Sequence, residues 1–292
     1  MTAGALGFGF KIGHWTDPSG STGCTVIIPP RENVTSCEVR GSSPGSREIE
    51  QLRTDLRLTE VHGILLTGGS AFGLAAADGV MSWLAERDIG YRTPVATIPI
   101  VPTAVIFDLA RAGDVAPPGP DAGRVACDSA STDPIETGRV GAGAGARVGK
   151  WAGIEHAVPG GLGIGHAEQE GLAVSALAVV NAIGDVLDVD GSVLAGTTAK
   201  GAVYRGRPAS PAPSLNTVLV CAVTSATLDK RDVHWLAARA ADGVTSTVRP
   251  AHTRYDGDIA FFSAAPGAEA NVDVLGYLAT IAVQRAVRAA VV

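Results

Sequence analysis

The strongest strand signal in the chain is the nearly unbroken apolar run TVLVCAVTS at residues 217–225. A run of this length, rich in Val, is typical of a buried strand. The stretch before it, residues 191–213, is rich in Gly, Pro, Ser and Arg without a regular period, which predicts a long surface linker. The sequence therefore places Thr217 at the first position of a buried strand, directly behind an exposed loop.

The Asn216–Thr217 junction can carry hydrolytic chemistry if its peptide bond is cut. Thr217 would then hold a hydroxyl nucleophile and a free α-amine, which titrates near about pH 8 and can take the hydroxyl proton. These are the groups that an N-terminal-nucleophile hydrolase uses. Asn-Thr pairs are common where a loop enters a strand, so the hypothesis needs support from other parts of the chain.

Composition restricts the classes of function. Of the 292 residues, 46% are hydrophobic and 18% are charged, which indicates a folded chain with a large core. The net charge of -6, without a basic stripe, argues against a nucleic-acid partner. The four cysteines lack metal-ligand spacing, so we expect reduced thiols and no metal site. Neither a signal peptide nor a membrane-spanning run is evident, which predicts a cytoplasmic protein without a membrane partner.

The order of the expected elements indicates an α+β fold. Strands come in pairs and are followed by isolated long helices, without the alternation of a doubly wound sheet. We therefore expect two sheets face to face with helices outside, in one domain over residues 1–292. Strands are expected at residues 34–39, 61–66, 161–164, 172–182, 217–225 and 258–263, and helices at 48–57, 71–86, 124–130, 228–241 and 271–290.

The Gly-rich segment 138–149 offers nucleotide binding as an alternative function. Residues 141–146, GAGAGA, fit the loose form of a dinucleotide loop, and Lys150 follows as in a phosphate loop. A phosphate loop also needs a Gly and a Ser or Thr where this chain has Ala144 and Trp151. The other interpretation is a segment whose small residues let two backbones approach closely.

Ser70 lies between an expected strand and helix, like the nucleophile elbow of α/β-hydrolases. That crowded turn needs a small residue two positions later, where this chain has Phe72. No convincing triad follows, since no distinctive flanking residues mark His156, His166, His234 or His252. The alternative role for Ser70 is a helix N-cap, for which serine is a preferred residue.

Four further polar positions stand out. Asp256 and Asp258 precede an apolar run and lie two residues apart, so in an extended segment both can line one pocket wall. Like charges held this close raise the pKa of one of the two carboxyl groups. The alternative is a solvated acidic turn. Asn181 lies in an apolar strand, where an unpaired amide costs ~1–3 kcal/mol, so it needs a partner or a function. Lys150 adjoins a largely apolar stretch and is either a surface lysine or a site residue.

Together these pieces resemble the DmpA-type self-processing aminopeptidases, a family that includes the nylon-oligomer hydrolases. The resemblance covers nearly the whole chain and rests on the order and spacing of its motifs. The matching segments are GCTVI (23–27), VRG (39–41), PGSRE (44–48), LTGGSAFGL (66–74), GAGAGARVG (141–149), VNAIGD (180–185) and NT (216–217).

The resemblance implies a four-layer αββα sandwich of the kind shared with ornithine acetyltransferases. It implies a precursor that cleaves itself between Asn216 and Thr217. The fragments 1–216 and 217–292 would stay associated, and such units would form a homotetramer. The nylon-oligomer subgroup is the nearer one, because the nucleophile position holds Thr rather than Ser.

By position, Lys150, Asn181, Asp256 and Asp258 match the catalytic neighbourhood of that subgroup. The resemblance implies that Lys150 tunes the Thr217 amine, that the Asn181 amide donates to the oxyanion, and that the two aspartates orient Thr217.

The implied activity is hydrolysis of small peptide or amide substrates through an acyl-enzyme on Thr217, without a metal or organic cofactor. Phe107 stands where some members have a substrate-contacting Tyr, so the substrate preference stays open. An acyltransferase of the ornithine-acetyltransferase type is the alternative within the same fold.

Overall fold

The computed structural model describes residues 3–109, 115–206 and 216–292. Its strands in chain order are β1 (Ala3–Gly4), β2 (Lys11–Thr16), β3 (Gly23–Ile28), β4 (Val34–Val39), β5 (Ser46–Arg47), β6 (Ile64–Thr67), β7 (Tyr91–Arg92), β8 (Thr97–Ile98), β9 (Thr103–Val105), β10 (Ile135–Glu136), β11 (Arg147–Val148), β12 (Val158–Pro159), β13 (Gly161–Gln169), β14 (Leu172–Asn181), β15 (Asp185–Leu187), β16 (Val193–Ala195), β17 (Thr217–Ser225), β18 (Val248–Arg249) and β19 (Ile259–Ala265). The helices are α1 (Ala76–Ala85), α2 (Pro120–Asp128), α3 (Lys230–Thr245) and α4 (Val272–Ala289).

Two five-stranded sheets form the centre of the molecule. The first has the strand order β2-β3-β6-β9-β5, and the second has the order β13-β14-β17-β19-β4. β17 is the middle strand of the second sheet; it pairs antiparallel with β14 and parallel with β19. A strand in this position has neighbours on both edges and needs apolar side chains on both faces, which explains the unbroken apolar run.

The faces of the two sheets that meet form one apolar core. Leu219, Cys221 and Val223 of β17 pack in it against Ile27, Ile64 and other residues of the first sheet. The alternate residues Val218, Val220 and Ala222 belong to a different core, against the helices. Since side chains alternate along a strand, Thr217 shares the inter-sheet face with Leu219.

Helices cover the outer faces of both sheets. α1 and α2 pack on the first sheet through Ala and Val residues, and α3 and α4 pack on the second. Asp229 and Asn271 cap α3 and α4 by accepting backbone N–H groups with their side chains. The four layers make an αββα sandwich, which confirms the expected fold. In the described parts of the chain, no helix is long and apolar enough to cross a membrane.

Most expected elements are present, with differences at their ends. The strands at 34–39 and 217–225 have the expected bounds, and the strand expected at 161–164 continues to Gln169. The helix expected at 48–57 is wrong: only the 3₁₀ turn Ile49–Leu52 forms there. Residues 207–213 of the expected linker lie outside the described residues.

Phe261, fully buried between the two sheets, provides a test of this core. We expect Phe261→Ala to lower the free energy of unfolding by about 3–5 kcal/mol, because the truncation leaves a cavity. Phe72→Ala is the matched control, since Phe72 is 71% exposed, and its effect should stay within about 0.5 kcal/mol. Urea unfolding of both variants measures this; equal losses would contradict the assigned core.

Candidate active site

β14 and β17 bring Asn181 and Thr217 together at one end of the second sheet. The two residues are direct cross-strand partners at the end of the antiparallel ladder. Asn181 comes two residues after Val179, and Thr217 comes two residues before Leu219. Both of those neighbours belong to the inter-sheet core, so the side chains of Asn181 and Thr217 face the space between the sheets. They are 1% and 5% exposed. The end of the sheet sandwich is therefore a buried polar site rather than an apolar one.

The Asn216–Thr217 peptide bond lies inside this site. The Thr217 hydroxyl donates to the carbonyl oxygen of Asn216 at 2.5 Å. Asn216 also forms a parallel bridge with Asp256, and its side-chain amide donates to the Tyr255 carbonyl at 3.3 Å. The hydroxyl of Thr217 and the carbonyl group preceding it are thus held in contact.

Two buried carboxylates flank the junction. Asp258 Oδ1 accepts the backbone N–H of Val218 at 2.6 Å, and its Oδ2 contacts His252 Nδ1 at 2.6 Å. Asp256 Oδ2 accepts from the backbone N–H and the hydroxyl of Thr253 at 2.7 and 2.5 Å. Burial, followed by the nearby charge of Asp258, raises the pKa of Asp256 to about 6. Asp256 therefore changes charge close to neutral pH.

Lys150 lies beside Asn181 and is 7% exposed. Its Nζ donates to the backbone oxygen of Asn181 at 2.7 Å and to Oδ1 of the same residue at 3.0 Å. Burial lowers the pKa of Lys150 to about 7, although the negative charges of Asp256, Asp258 and Asp108 act against it. A large share of the molecules therefore carries a neutral amine at this position at neutral pH.

Asn181 is oriented by three groups. Its Oδ1 accepts from Lys150 and from the backbone N–H of Arg147, and its Nδ2 donates to the carbonyl oxygen of Phe107 at 3.2 Å. The neighbouring Asp108 accepts the Gly69 N–H at 2.7 Å, and burial raises its pKa. The segment that follows β9 of the first sheet thus contributes to the site through residues 107 and 108.

The sequence model of Peptidase family S58 matches residues 8–292 of this chain. The chain belongs to peptidase family S58. Among its relatives, an uncharacterized aminopeptidase of Mycobacterium tuberculosis is 38% identical over 280 residues, which cover 87% of this chain and 78% of that protein. A 6-aminohexanoate-oligomer endohydrolase of Agromyces sp. is 29% identical over 267 residues, which cover 87% and 72%.

Solved structures agree with the fold. The L-aminopeptidase D-Ala-esterase/amidase of Ochrobactrum anthropi, described as a variant of the Ntn hydrolase fold, matches with a TM-score of 0.74 at 18% identity, covering 99% of this chain and 87% of that one. The family match confirms the resemblance to the DmpA-type aminopeptidases and makes this S58 member a hydrolase of peptide or amide bonds. It favours hydrolysis over the acyltransferase alternative.

The Gly-rich segment of this S58 member does not form a dinucleotide loop. Residues Gly141–Gly143 make a 3₁₀ turn followed by β11, and no α-helix begins there. The N–H groups of Gly141 and Ala142 donate to the hydroxyls of Thr16 and Thr25 in the first sheet. A Cβ on Gly143 would lie 2.4 Å from the Leu162 nitrogen. The small residues let this segment pack tightly against both sheets.

Ser70 and Phe107 lie in the first half of the chain, beside the site. Ser70 begins the 3₁₀ helix Ser70–Ala75, whose N-cap position is Gly69, and its φ of 53° is left-handed. Its N–H donates to the carbonyl oxygen of Ile106. Phe107 is half-buried and reaches Asn181 through its backbone oxygen. Within the described residues, no group of three or more His, Cys, Asp or Glu side chains could hold a metal ion.

His252 and Thr253 are site residues that the sequence does not reveal. They fix the two carboxylates, but their sequence neighbours have no pattern that marks them. A signal exists only in their position, a few residues before Asp256 and Asp258 on the same loop. Asp108 follows Phe107 and is not distinctive in the sequence, because a single acid after a short strand has many structural roles.

His252 gives a pH-dependent test of this arrangement. Although burial opposes its charge, the hydrogen bond to Asp258 and the charge of Asp258 raise the pKa of His252 above its usual 6.5. Its stabilising effect is therefore fully present below about pH 6.5 and is lost as the pH rises through the higher, folded value. We expect His252→Gln to lower the free energy of unfolding by about 1.5–3 kcal/mol at pH 6, and by less at pH 9.

The control for this prediction is His156→Gln, because the His156 side chain is 41% exposed. Urea unfolding at both pH values gives the four free energies that are needed. A loss for His252→Gln that is equal at the two pH values would show that His252 does not stabilise Asp258 through its charge.

Proposed function

We propose that this chain is a self-cleaving N-terminal-threonine amidohydrolase of the aminopeptidase type, with Thr217 as the nucleophile. The observation that carries the proposal is the contact between the Thr217 hydroxyl and the Asn216 carbonyl, 2.5 Å long and buried. Two aspartates and a lysine of lowered pKa surround that contact. Perturbed pKa values around a nucleophile are typical of catalytic sites.

The proposed self-cleavage proceeds in two steps. Thr217 Oγ forms a bond to the Asn216 carbonyl carbon, its proton passes to a base, and the bond from that carbon to the Thr217 nitrogen breaks as the nitrogen takes up a proton. An ester and a free amine result. Water then hydrolyses the ester, which restores the Thr217 hydroxyl and leaves Asn216 as a carboxylate.

In turnover, Thr217 Oγ attacks the substrate amide and forms an acyl-enzyme, which water releases. We assign proton transfer to the Thr217 amine, tuned by Lys150, whose pKa of about 7 suits transfer in both directions. Asn181 is the proposed oxyanion donor, a role typically worth ~2.7–4 kcal/mol. Asp256 and Asp258 orient the first residue of β17, which the Val218 contact of Asp258 supports.

The proposed substrate is a small peptide or linear amide that carries a free amino group. Asp108, Asp256 and Asp258 lie close enough to Lys150 for their charges to affect its pKa. Carboxylates buried beside the nucleophile are groups that can bind the ammonium group of such a substrate. The names of the two relatives, aminopeptidase and 6-aminohexanoate-oligomer endohydrolase, agree with this class. Phe107, half-buried beside Asn181, is the proposed pocket residue.

We propose that fragments 1–216 and 217–292 stay associated after the cut. The second fragment would carry β17 and β19, which lie between β14 and β4 of the first fragment in one sheet. Separating the fragments would break three strand pairings, of β17 with β14, of β19 with β4 and of β18 with β15, and would expose both apolar faces. We further propose a cytoplasmic homotetramer of these two-fragment units, which light scattering of the purified protein can test.

Intact-mass measurement tests the proposal, since it should find two fragments divided between Asn216 and Thr217. A screen of α-, β- and ω-amino amides then identifies the substrate. Transfer of the acyl group to an added amine instead of water would identify an acyltransferase, and a purified protein that is never cut would contradict the proposed nucleophile.

A further inference from the structure

Gly257 lies between the two site aspartates, and its backbone N–H donates to the carbonyl oxygen of Asn216 at 2.9 Å. That oxygen also accepts from the Thr217 hydroxyl. When Thr217 Oγ attacks, the hydroxyl gives up its proton and stops being a donor, while the oxygen gains negative charge. The Gly257 N–H then still points at the atom on which charge develops.

From this geometry, and on the basis of the proposed self-cleavage, we infer that the Gly257 N–H is the oxyanion donor for cleavage of the Asn216–Thr217 bond. It is a catalytic group, because it contacts a reacting atom. It is distinct from Asn181, whose side-chain amide donates to the Phe107 carbonyl. The precursor reaction therefore has its own donor on the loop that carries the two aspartates.

The backbone around Gly257 is held on both sides, so the donor needs little rearrangement. The Asp256 carbonyl accepts the Ser43 N–H at 3.0 Å, and the Asp258 carbonyl accepts the N–H groups of Arg40 and Gly41 at 3.1 and 3.2 Å. Donors fixed before the reaction stabilise developing charge without a reorganisation cost.

Glycine is required at this position for space. A Cβ on Gly257 would lie 2.9 Å from Thr217 Oγ1 and 2.8 Å from the Ser43 carbonyl oxygen. Both contacts are shorter than a Cβ normally makes. Any side chain would push the nucleophile or the 40–43 segment away, so the residue that supplies the N–H has to be glycine.

The test removes the N–H without adding a side chain. Glycolic acid incorporated at position 257 of the full chain by in vitro translation replaces the peptide N–H by an ester oxygen. We expect self-cleavage to slow by about 10²–10³-fold. The matched control is the same replacement at Gly191, an exposed turn residue whose N–H donates to Asp188 at 3.1 Å; it should cleave at the wild-type rate.

Suppose that the chain with the ester at position 257 cuts its Asn216–Thr217 bond at a rate within about threefold of the Gly191 control. That result would overturn the inference and leave Thr217 as the nucleophile. If the 257 ester does not fold, a crystal structure of the uncut Thr217→Ala chain decides: a Gly257 nitrogen within about 3.2 Å of the Asn216 oxygen supports the inference, and a larger separation overturns it. An uncut wild-type chain would instead contradict the proposed function itself.

Discussion

Thr217→Ala is expected to appear on a denaturing gel as one chain of full length, whereas the wild type gives two fragments, 1–216 and 217–292. The methyl group of alanine cannot attack the Asn216 carbonyl, so neither the ester nor the free amine forms. Hydrolysis of amide substrates should also disappear, since removal of a hydrolase nucleophile costs on the order of 10⁶-fold in kcat. Intact mass and a substrate assay on the same sample measure both effects.

Thr217→Ser is the matched control. It keeps the hydroxyl that contacts the Asn216 oxygen and removes only a methyl group. We expect it to cleave itself and to hydrolyse amides, with both rates altered less than about tenfold. A Thr217→Ala chain that is still divided at this bond would refute the nucleophile assignment, and an uncut Thr217→Ala chain with full amidase activity would refute its role in turnover.

The central strand explains why so much of the fold can be predicted from the sequence. A strand buried on both faces must be apolar at every position, and residues 218–223 are. The amphipathic helix α4 can also be predicted from the sequence, because its buried residues recur every three or four positions after the Asn271 cap. These signals depend on local periodicity, which the sequence contains in full.

The failed helix at residues 48–57 has a long-range cause. Lys230, from α3, donates to the carbonyl oxygens of Gln51, Leu56 and Leu58. Those carbonyls face the lysine instead of forming helical hydrogen bonds, and Glu48 adopts a left-handed φ of 56°. A contact between residues about 170 or more positions apart leaves no local trace in the sequence.

The residues of the site also fall into two groups, those that the sequence reveals and those that only the folded structure reveals. Asn181 and the aspartates stand out because polar groups in or beside apolar strands are conspicuous. His252, Thr253 and Asp108 act through side-chain contacts that depend on how the loops fold. Their roles follow from geometry alone.

Lys150→Met should slow amide hydrolysis by about 10²–10⁴-fold, because the Thr217 amine that transfers the proton loses the group that tunes it. Burial holds the pKa of Lys150 at about 7, so the neutral amine predominates above that pH and the wild-type rate should rise as the pH passes through about 7. Methionine has a similar length and cannot titrate. In the variant, the remaining rise should belong to Asp256 and lie above about pH 6, because the Lys150 charge that lowers the pKa of Asp256 is gone. A kcat profile from pH 5 to about 9 separates the two steps.

Lys230→Met is the matched control, because Lys230 is also 7% exposed and also donates to backbone carbonyls, but outside the site. Its loss should lower the free energy of unfolding and leave the pH profile of kcat unchanged. If Lys150→Met kept the step near pH 7, that step would belong to another group, with the Thr217 amine as the first candidate. A lysine that only supports the strand of Asn181 changes how much enzyme is folded, but not the pH at which the folded enzyme works. If both variants lost activity only in proportion to their unfolded fraction, Lys150 would therefore have a structural role.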